Sequence, residues 1–371
     1  MMEKQIKTLL LRHGGYEAAR HLRARLESAK LKKRVRAFRE TGHLPLPGEI
    51  MFEPTRRCNL RCRMCYQSRQ ALTEKDELDA GEIGRFFDEN SFLRKVTLYG
   101  GEIFMRKDIM EIIRAIGPGR SVILPTNGTL IGADQAEDLR RLSFIGTICV
   151  SLDGPAEIHD VIRGRTGAFE KAVSAIRSLA PSVPVTVTTV IQNDNIEVLP
   201  DMIDLCCALG VPVVKYEMER LYGEEKMDRT IRETGLQDKE TEILTKERSR
   251  QYSLQRLRNV LGECLRRGRK RGLYVTFDPS YLMERLDDCY HDSLRRNFRC
   301  LCRAFGMGAV TPTGEVVHCF AIRKPLGNIR EKPFDEIWNS SEAARFRHNL
   351  LAQNLTPICE NCGFMVVSAS V

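Results

Sequence analysis

Residues 50–65 have the sequence IMFEPTRRCNLRCRMC, in which a short apolar run is followed directly by three cysteines. The length and composition of the apolar run predict a buried β-strand. Cys58, Cys62 and Cys65 then lie on a loop at the carboxyl end of that strand. In parallel α/β folds the chemistry is concentrated at this end of the strands, so the loop is the first candidate for a functional site.

The three cysteines are spaced four and three residues apart, which lets one loop wrap around a single iron-sulfur cluster. Three thiolate ligands leave one iron without a protein ligand. An open coordination position is typical of a catalytic metal site, whereas structural sites are closed. The same spacing also occurs in zinc sites, so zinc is the alternative at this point.

A regular alternation of β-branched apolar runs and amphipathic helical segments follows from residue 50. The predicted strands are Ile50–Thr55, Lys95–Gly101, Ser121–Thr126, Thr147–Leu152, Pro184–Ile191 and Val211–Glu217. Six strand-helix repeats predict parallel strands with right-handed crossovers. Because six strands are too few for a closed eight-stranded barrel, we expect an α/β fold built on a partial (β/α)6 TIM-like barrel that is open on one side.

The charge of the chain is concentrated at its N-terminus. Of the net charge of +9, residues 1–40 carry +8, from twelve lysines and arginines against four glutamates. Residues 3–40 have a helical pattern, with Leu22, Leu26 and Ala29 at helical spacing and a break predicted at Gly14-Gly15. A solvated helix is the first interpretation, and contact with an anionic membrane surface, nucleic acid or an acidic partner is the alternative.

No apolar run in the chain approaches the length needed to cross a bilayer, and the N-terminus lacks the pattern of a signal peptide. We therefore expect a cytoplasmic protein, with peripheral membrane contact through residues 1–40 as the option to test. Thirteen cysteines in a reducing compartment indicate metal binding rather than disulfides. Cys149, Cys206 and Cys207 are predicted to be core residues, since they fall within a strand and a helix.

We divide the chain into four segments. A basic helical segment (1–45) precedes the barrel (46–220), and a mostly helical connector (221–290) follows it. Residues 291–371 form a small α+β domain that bears cysteines, with a hairpin over Gly308–Cys319 turning at Thr313-Gly314 and a helical stretch over Phe334–Leu351. The basic run 266–271 in the connector is interpreted as a solvated helix end.

The CxxxCxxC spacing, with Met64 before the last cysteine, resembles the signature of the radical S-adenosylmethionine (SAM) superfamily. The resemblance covers about residues 48–220 and continues at the ends of successive predicted strands. Gly100-Gly101-Glu102 resembles the motif that binds the amino group of SAM, although Ile103 stands where the family often has proline. Glycine permits close backbone approach, and a carboxylate offsets an ammonium charge.

Further site residues follow from this resemblance. It implies that Asn127, Ser151 and Asp153 serve the ribose and carboxylate of SAM, and that Arg163 pairs with the SAM carboxylate. Val190 and Met64 would pack near the adenine. His159 is predicted to be a structural histidine rather than a catalytic one.

The C-terminal cysteines resemble the short, single-cluster (twitch) form of the SPASM auxiliary domain. The implied ligands are Cys302, Cys319, Cys359 and Cys362, which suffice for one closed 4Fe-4S cluster, with Cys300 as the competitor for the first position. Gly327-Asn328-Ile329 and Phe334–Trp338 are also typical of that domain. A zinc ribbon is the alternative, because paired cysteines at this spacing bind zinc equally well.

The resemblance implies SAM as cosubstrate, two 4Fe-4S clusters, and an electron donor of the flavodoxin or ferredoxin type. The deoxyadenosyl radical would remove a hydrogen atom from a small-molecule, lipid-linked or peptide substrate, leading to dehydrogenation, epimerisation or bond formation. The alternative from another class is a zinc-stabilised protein that binds nucleic acid through its basic residues. We expect no nucleic acid partner.

Overall fold

The computed structural model describes residues 15–65, 75–234, 249–360 and 362–368. Within these ranges one large sheet has the strand order β11-β10-β9-β1-β2-β3-β4-β5-β6-β7. Seven of its parallel strands are β1 (Glu49–Phe52), β2 (Lys95–Leu98), β3 (Ser121–Thr126), β4 (Ile145–Ser151), β5 (Val185–Ile191), β6 (Val213–Met218) and β7 (Tyr274–Asp278), and β9, described below, adds another. The described strands β7 and β11 are the two edges, so the sheet is an open barrel, as predicted.

The helices that connect these strands cover the outer face of the sheet. They are α2 (Ala80–Glu89), α3 (Ile109–Ile116), α4 (Ala133–Arg140), α5 (Ala156–Arg163), α6 (Ala168–Leu179), α7 (Asp201–Ala208), α8 (Glu224–Thr234) and α9 (Leu254–Arg271); α1 (Gly15–Thr41) precedes β1. In β5, Val185, Val187 and Ile191 are buried against helices, whereas Thr186 and Val190 are half-buried on the inner face. This alternation is what a strand with one face toward a helical layer requires.

The segment predicted as a helical connector contains a seventh parallel strand. β7 pairs with β6 in the register Val213↔Tyr274 to Glu217↔Asp278. Val275 and Phe277 pack into the outer core, which gives the strand its alternation. The sheet thus continues beyond the six predicted strands. β7 was not predicted, because this five-residue run follows directly after a strongly charged helix.

The C-terminal segment extends the same sheet on its other edge. β9 (Met307–Val310) pairs with β1 in parallel, and β10 (Glu315–Val317) pairs antiparallel with β9 and with β11 (Pro325–Asn328). The predicted hairpin at Thr313-Gly314 is therefore present. β8 (Arg299–Cys302) and β12 (Met365–Ser368) form a separate two-stranded sheet. The domain boundaries themselves stay predictions.

Short helices complete the C-terminal part: α10 (Leu286–Tyr290), α11 (Leu294–Asn297), α12 (Phe334–Trp338) and α13 (Ser341–Ala352). The single helical stretch predicted over 334–351 is thus divided. Asn339 caps the end of the first helix, and Ser340 caps the start of the second, where its hydroxyl accepts a hydrogen bond from Ala343 N at 3.2 Å.

α1 is described from Gly15 onward, and residues 1–14 lie outside the described ranges, so the break predicted at Gly14-Gly15 stays a prediction. Its buried side chains are Leu31, Val35 and Phe38. Leu26, which the helical spacing singled out, is 54% exposed. None of the described helices is long and apolar enough to cross a membrane.

The basic run on α9 is paired within the protein. Arg267 bonds to Asp201 at 2.8 Å, and Arg271 bonds to Asp204 at 2.7 Å. These contacts agree with the interpretation of this run as an ordinary charged helix face.

Candidate active site

The cysteine loop after β1 is fixed to the carboxyl end of α5. Arg61 N donates to Arg163 O at 3.3 Å, and Arg63 N donates to Ile162 O at 2.9 Å. A side chain at Gly164 would place its Cβ 2.8 Å from Arg61 O, so only glycine permits this contact. The loop that carries the cysteines and the helix that carries Arg163 are therefore positioned together.

The two glycines of the Gly100-Gly101-Glu102 motif allow the end of β2 to lie against the base of the cysteine loop. Gly101 N donates to Thr55 O at 2.9 Å, and a Cβ at Gly101 would fall 2.2 Å from Arg57 O. Gly100 has a φ of +144°, and its Cβ would fall 2.3 Å from Thr55 O. In the described structure the close approach is thus made by protein backbone, whereas the sequence analysis explained these glycines by approach to a ligand.

Glu102 joins the ends of β2 and β3. Its carboxylate is 1% exposed and accepts hydrogen bonds from Asn127 N at 2.7 Å and from the Thr126 hydroxyl at 2.8 Å. Burial raises the pKa of Glu102, and these hydrogen bonds oppose that rise. The carboxylate is therefore held in place at the mouth of the barrel.

An amide network that the sequence did not indicate connects the cysteine loop to β3. Asn127 Nδ2 donates to Asn59 Oδ1 at 2.9 Å, and Asn59 Nδ2 donates to the Thr129 hydroxyl at 2.8 Å. Asn59 lies between two of the cysteines, so this network orients the loop across the barrel mouth. Its position next to Cys58 is the only sequence signal that could have suggested the role.

Asp153 organises the ends of β4 and β5. Its carboxylate, fully buried, accepts from Arg163 Nε at 2.6 Å and from Val190 N at 3.1 Å. Arg163 NH1 lies 3.7 Å from the Cys62 sulfur. The burial of Arg163 disfavours its charge, but Asp153 and Cys62 outweigh this effect and raise the pKa of Arg163.

His159 also contacts the segment that follows β4. Its Nδ1 accepts a hydrogen bond from Asp153 N at 3.1 Å, and burial lowers the pKa of the ring to about 4. The histidine is therefore neutral at physiological pH and supports the backbone, consistent with the structural role predicted for it.

The remaining predicted SAM contacts lie around this mouth on the ends of different elements. Met64, Ser151 and Val190 are half-buried, the first on the cysteine loop and the others on the inner faces of β4 and β5. Their approach to SAM stays a prediction.

The inner face of β6 and β7 carries a charged group that sequence reasoning missed. Lys215 Nζ lies 2.5 Å from Glu217 Oε1, and Glu217 is in register with Asp278 on β7. Burial raises the pKa of Asp278, and the neighbouring Glu217 raises it further. In the sequence, the signal for this charged group is the alternation of inward and outward residues along β6 and β7. That alternation can be used only after β7 has been recognised as a strand.

Three cysteines predicted to be core residues have different environments. Cys149 is half-buried on the inner face of β4 near Lys215 and is not a core residue, and Cys207 is exposed. Cys206 alone is buried in the core. α7 places Cys206 and Cys207 on different faces, because consecutive helical residues point in different directions.

The four predicted auxiliary ligands converge between the hairpin and the C-terminus. Burial raises the pKa of Cys319 to about 12 and that of Cys359 to about 11, and the neighbouring thiols add to both shifts. The sulfur of Cys302 accepts from Ala304 N at 3.4 Å, and that of Cys319 accepts from Ile322 N at 3.3 Å. Thiols that share one buried region and accept backbone N–H groups fit the ligands of an iron-sulfur cluster.

The structure also distinguishes between Cys302 and Cys300, the two candidates for the first ligand position of the auxiliary cluster. Cys302 has three thiol neighbours, Cys319, Cys359 and Cys362, whereas Cys300 has only Cys359 and also lies next to Glu360, with its sulfur 3.6 Å from Phe298 O. The geometry therefore favours Cys302 as the ligand. In the described part of the chain, no three His, Cys, Asp or Glu side chains are grouped closely enough to hold a single metal ion.

Comparison with known proteins agrees with these two sites. Residues 52–206 match the family model described as the radical SAM superfamily, and residues 300–363 match SPASM, an iron-sulfur cluster-binding domain. An AdoMet-dependent heme synthase of Methanosarcina barkeri is 28% identical over 337 residues, covering 87% of this chain and 90% of the relative. An Fe-coproporphyrin III synthase of the same organism is 29% identical over 315 residues, covering 78% and 73%.

The fold resembles that of Streptococcus suis SuiB bound to its precursor peptide SuiA, with a TM-score of 0.64 and 16% identity. The likeness covers 85% of this chain and 69% of SuiB. The two families imply a SAM-binding 4Fe-4S cluster and an auxiliary cluster, and the assignment of these clusters to the two cysteine groups stays a prediction. The chain belongs to the radical SAM superfamily and carries a C-terminal SPASM iron-sulfur cluster-binding domain, and it is an enzyme.

Proposed function

We propose that the enzyme cleaves SAM reductively and uses the deoxyadenosyl radical to remove a hydrogen atom from a substrate bound on the inner face of the sheet. Cys58, Cys62 and Cys65 would hold a 4Fe-4S cluster, which when bound would supply the one electron needed to split a carbon-sulfur bond of the sulfonium into methionine and the radical. Hydrogen transfer from the substrate then yields deoxyadenosine and a substrate radical. The supporting observation is the contact of Arg163 with both Asp153 and Cys62.

The residues of the barrel mouth have distinct tasks in this proposal. Arg163 receives the SAM carboxylate, Glu102 offsets the ammonium group, and Asn127 and Ser151 contact the ribose. Met64 and Val190 hold the adenine. Asp153 is assigned to the carboxylate end of SAM and also positions Arg163, because its carboxylate accepts hydrogen bonds from Arg163 Nε and Val190 N.

A tetrapyrrole is the substrate class that we propose. The two relatives described above have names that refer to heme and to an iron coproporphyrin, and the first aligns along most of both chains. A peptide is the alternative, in view of the peptide bound to SuiB, but likeness at 16% identity supports the fold alone. Net dehydrogenation, epimerisation and bond formation remain open among the reactions.

An electron donor of the flavodoxin or ferredoxin type belongs to the same proposal, since each SAM cleaved consumes one electron. The auxiliary cluster on Cys302, Cys319, Cys359 and Cys362 is closed by four thiolates, so it serves electron exchange or structure rather than SAM binding.

The anionic surface proposed for residues 1–40 is supported by one face of α1. Lys30, Lys32, Lys33, Arg36 and Arg39 are exposed there, opposite the buried Leu31, Val35 and Phe38. Liposome flotation with and without residues 1–40 tests this contact. Equal partitioning of the two forms would rule it out.

The central experiment is anaerobic incubation of the reconstituted enzyme with SAM and a reductant, followed by chromatography for deoxyadenosine. We expect a brown protein with about eight irons per chain that forms deoxyadenosine, and a folded Cys62→Ala variant that forms none. Equal rates for the two proteins would refute the proposal. A colourless, zinc-loaded protein with salt-sensitive DNA binding would support the nucleic-acid alternative instead.

A further inference from the structure

A second apolar cluster lies on the inner face of the sheet, apart from the core between sheet and helices. Met51, Met307, Ala309, Val317 and Phe320 form it, and the half-buried rings of Tyr99 and Phe364 pack against it. Tyr99 and Phe320 stack with ring centroids 5.4 Å apart and an interplanar angle of 12°. We refer to Tyr99, Phe320 and Phe364 as the aromatic wall.

The aromatic wall is built by both parts of the protein. Tyr99 directly precedes the Gly100-Gly101-Glu102 motif at the end of β2. Phe320 directly follows Cys319, and Phe364 comes two residues after Cys362. The wall therefore lies between the SAM-binding motif and two ligands of the auxiliary cluster.

Residues 362–364 also connect the aromatic wall to the charged group on β6 and β7. A Cβ at Gly363 would fall 1.7 Å from Asp278 Oδ1, so the backbone here lies directly against that carboxylate. Phe364, the next residue, packs against the inner apolar cluster. The C-terminal segment thus approaches both sides of the open barrel.

The inner face of β6 and β7 is polar. Glu217 and Asp278 have Lys215 and Arg220 as cationic neighbours, and Arg303 approaches Asp278. Cationic side chains are therefore gathered on this face, where they can meet the carboxylates of a ligand. The inner space accordingly has one aromatic side and one side suited to carboxylates.

We propose that the aromatic wall binds the flat apolar face of the substrate through Tyr99 and Phe364, while substrate carboxylates face Lys215, Arg220 and Arg303. This inference rests on the proposed function and assigns its substrate site. Half-buried rings on an inner wall present an apolar face to a planar ligand, and stacking on such rings favours flat molecules over flexible chains. The substrate class is a planar macrocycle that bears carboxylates.

The test is a titration of the full-length, cluster-loaded protein with iron coproporphyrin III, in which binding is measured by the shift of the Soret band. We expect a dissociation constant in the low micromolar range or below, and a weakening of about tenfold in Tyr99→Leu and in Phe364→Leu. The matched control is Phe92→Leu, because Phe92 is a half-buried aromatic residue that packs on the outer core. The affinity of the Phe92→Leu protein for iron coproporphyrin III should change less than twofold.

Iron content and SAM affinity are measured for every variant, so that loss of the fold or of the SAM site is recognised. Phe364→Leu keeps the test valid if Tyr99→Leu disturbs the neighbouring SAM motif. Wild-type affinities retained by both aromatic variants, or no binding of the probe by the wild type, would overturn the inference. A glutamate-rich linear peptide that binds more tightly than the macrocycle would overturn it as well.

The outcomes separate this inference from the proposed function. Deoxyadenosine formation is measured without the macrocycle, so an enzyme that cleaves SAM but does not bind iron coproporphyrin III keeps its function and loses only this substrate site. If no deoxyadenosine forms, the proposed function fails whatever the titration shows.

Discussion

Arg163 donates a hydrogen bond from Nε to Asp153 at 2.6 Å, and both side chains are almost entirely buried. A buried pair of this kind is costly to break, because removing one charge leaves the other without compensation. The pair lies directly behind Cys62, so its geometry determines how Arg163 meets the predicted SAM carboxylate. Asp153→Asn preserves the shape and removes the charge.

We expect Asp153→Asn to retain its clusters and to weaken SAM binding by about 10- to 100-fold. Iron analysis and equilibrium dialysis with labelled SAM measure the two quantities. The control is Asp138→Asn, which breaks the exposed pair with Arg114 and should leave SAM affinity unchanged. Unaltered SAM affinity in Asp153→Asn would contradict the positioning role.

Gly101→Ala should detach the cysteine loop from β2. The new Cβ would meet Arg57 O at 2.2 Å and Arg56 O at 2.6 Å, and backbone atoms cannot move aside as a flexible side chain would. We expect loss of the SAM-binding cluster with the auxiliary cluster retained, hence about four irons per chain instead of about eight.

Gly262→Ala is the matched control for that substitution. Gly262 lies within α9, and a Cβ at this position would meet no neighbouring atom within 4 Å. Alanine should therefore be tolerated and should stabilise the helix by up to about 1 kcal/mol. A Gly101→Ala protein with full iron content and normal deoxyadenosine formation would show that the close backbone contact is dispensable.

The sequence predicted the mouth of the barrel well because its motifs follow strands that are parallel. The carboxyl ends of such strands meet at one edge, so Cys58, Glu102, Asn127 and Asp153 had to lie near one another. The partners of each side chain could not be derived in this way. Whether Asp153 faces a ligand or Arg163 depends on side-chain directions set by packing across α5, and no local pattern encodes them.

The strand β7 shows a second limit of sequence reasoning. Tyr274–Asp278 has a strand-like alternation, but it is only five residues long and follows the basic helix α9. Pairing with β6 and packing of Phe277 on the outer core stabilise it, and both are long-range effects. The charged group of Lys215, Glu217 and Asp278 depends on this pairing, so it also escaped prediction.

The choice between Cys300 and Cys302 is open to a direct test. We expect Cys302→Ala to lose the auxiliary cluster, with iron falling by about four per chain, because Cys302 has all three of the other predicted ligands as neighbours, whereas Cys300 has only Cys359. Cys300→Ala should keep both clusters. Mössbauer spectra of the two variants measure the cluster content, and the reverse result would reassign the ligand.

The buried histidine His159 should make stability depend on pH. Burial lowers its pKa to about 4 in the folded protein, against an ordinary value of 6.5, so the unfolded chain binds more protons between these values. The free energy of unfolding therefore rises with pH between about 4 and 6.5. The stabilising contribution of His159 is fully present above about pH 6.5. At pH 5 the loss from this one group is up to about 2 kcal/mol.

A comparison of wild type with His159→Gln isolates this effect, since acid sensitivity of the clusters is common to both proteins. The difference in the free energy of unfolding between the two, measured in urea, should shift by up to about 2 kcal/mol from pH 7.5 to pH 5, with the wild type losing more. His348→Gln, a substitution of an exposed histidine, is measured alongside to register any general effect of replacing a histidine by glutamine. A pH-independent difference between wild type and His159→Gln would mean that His159 is not held neutral by its surroundings.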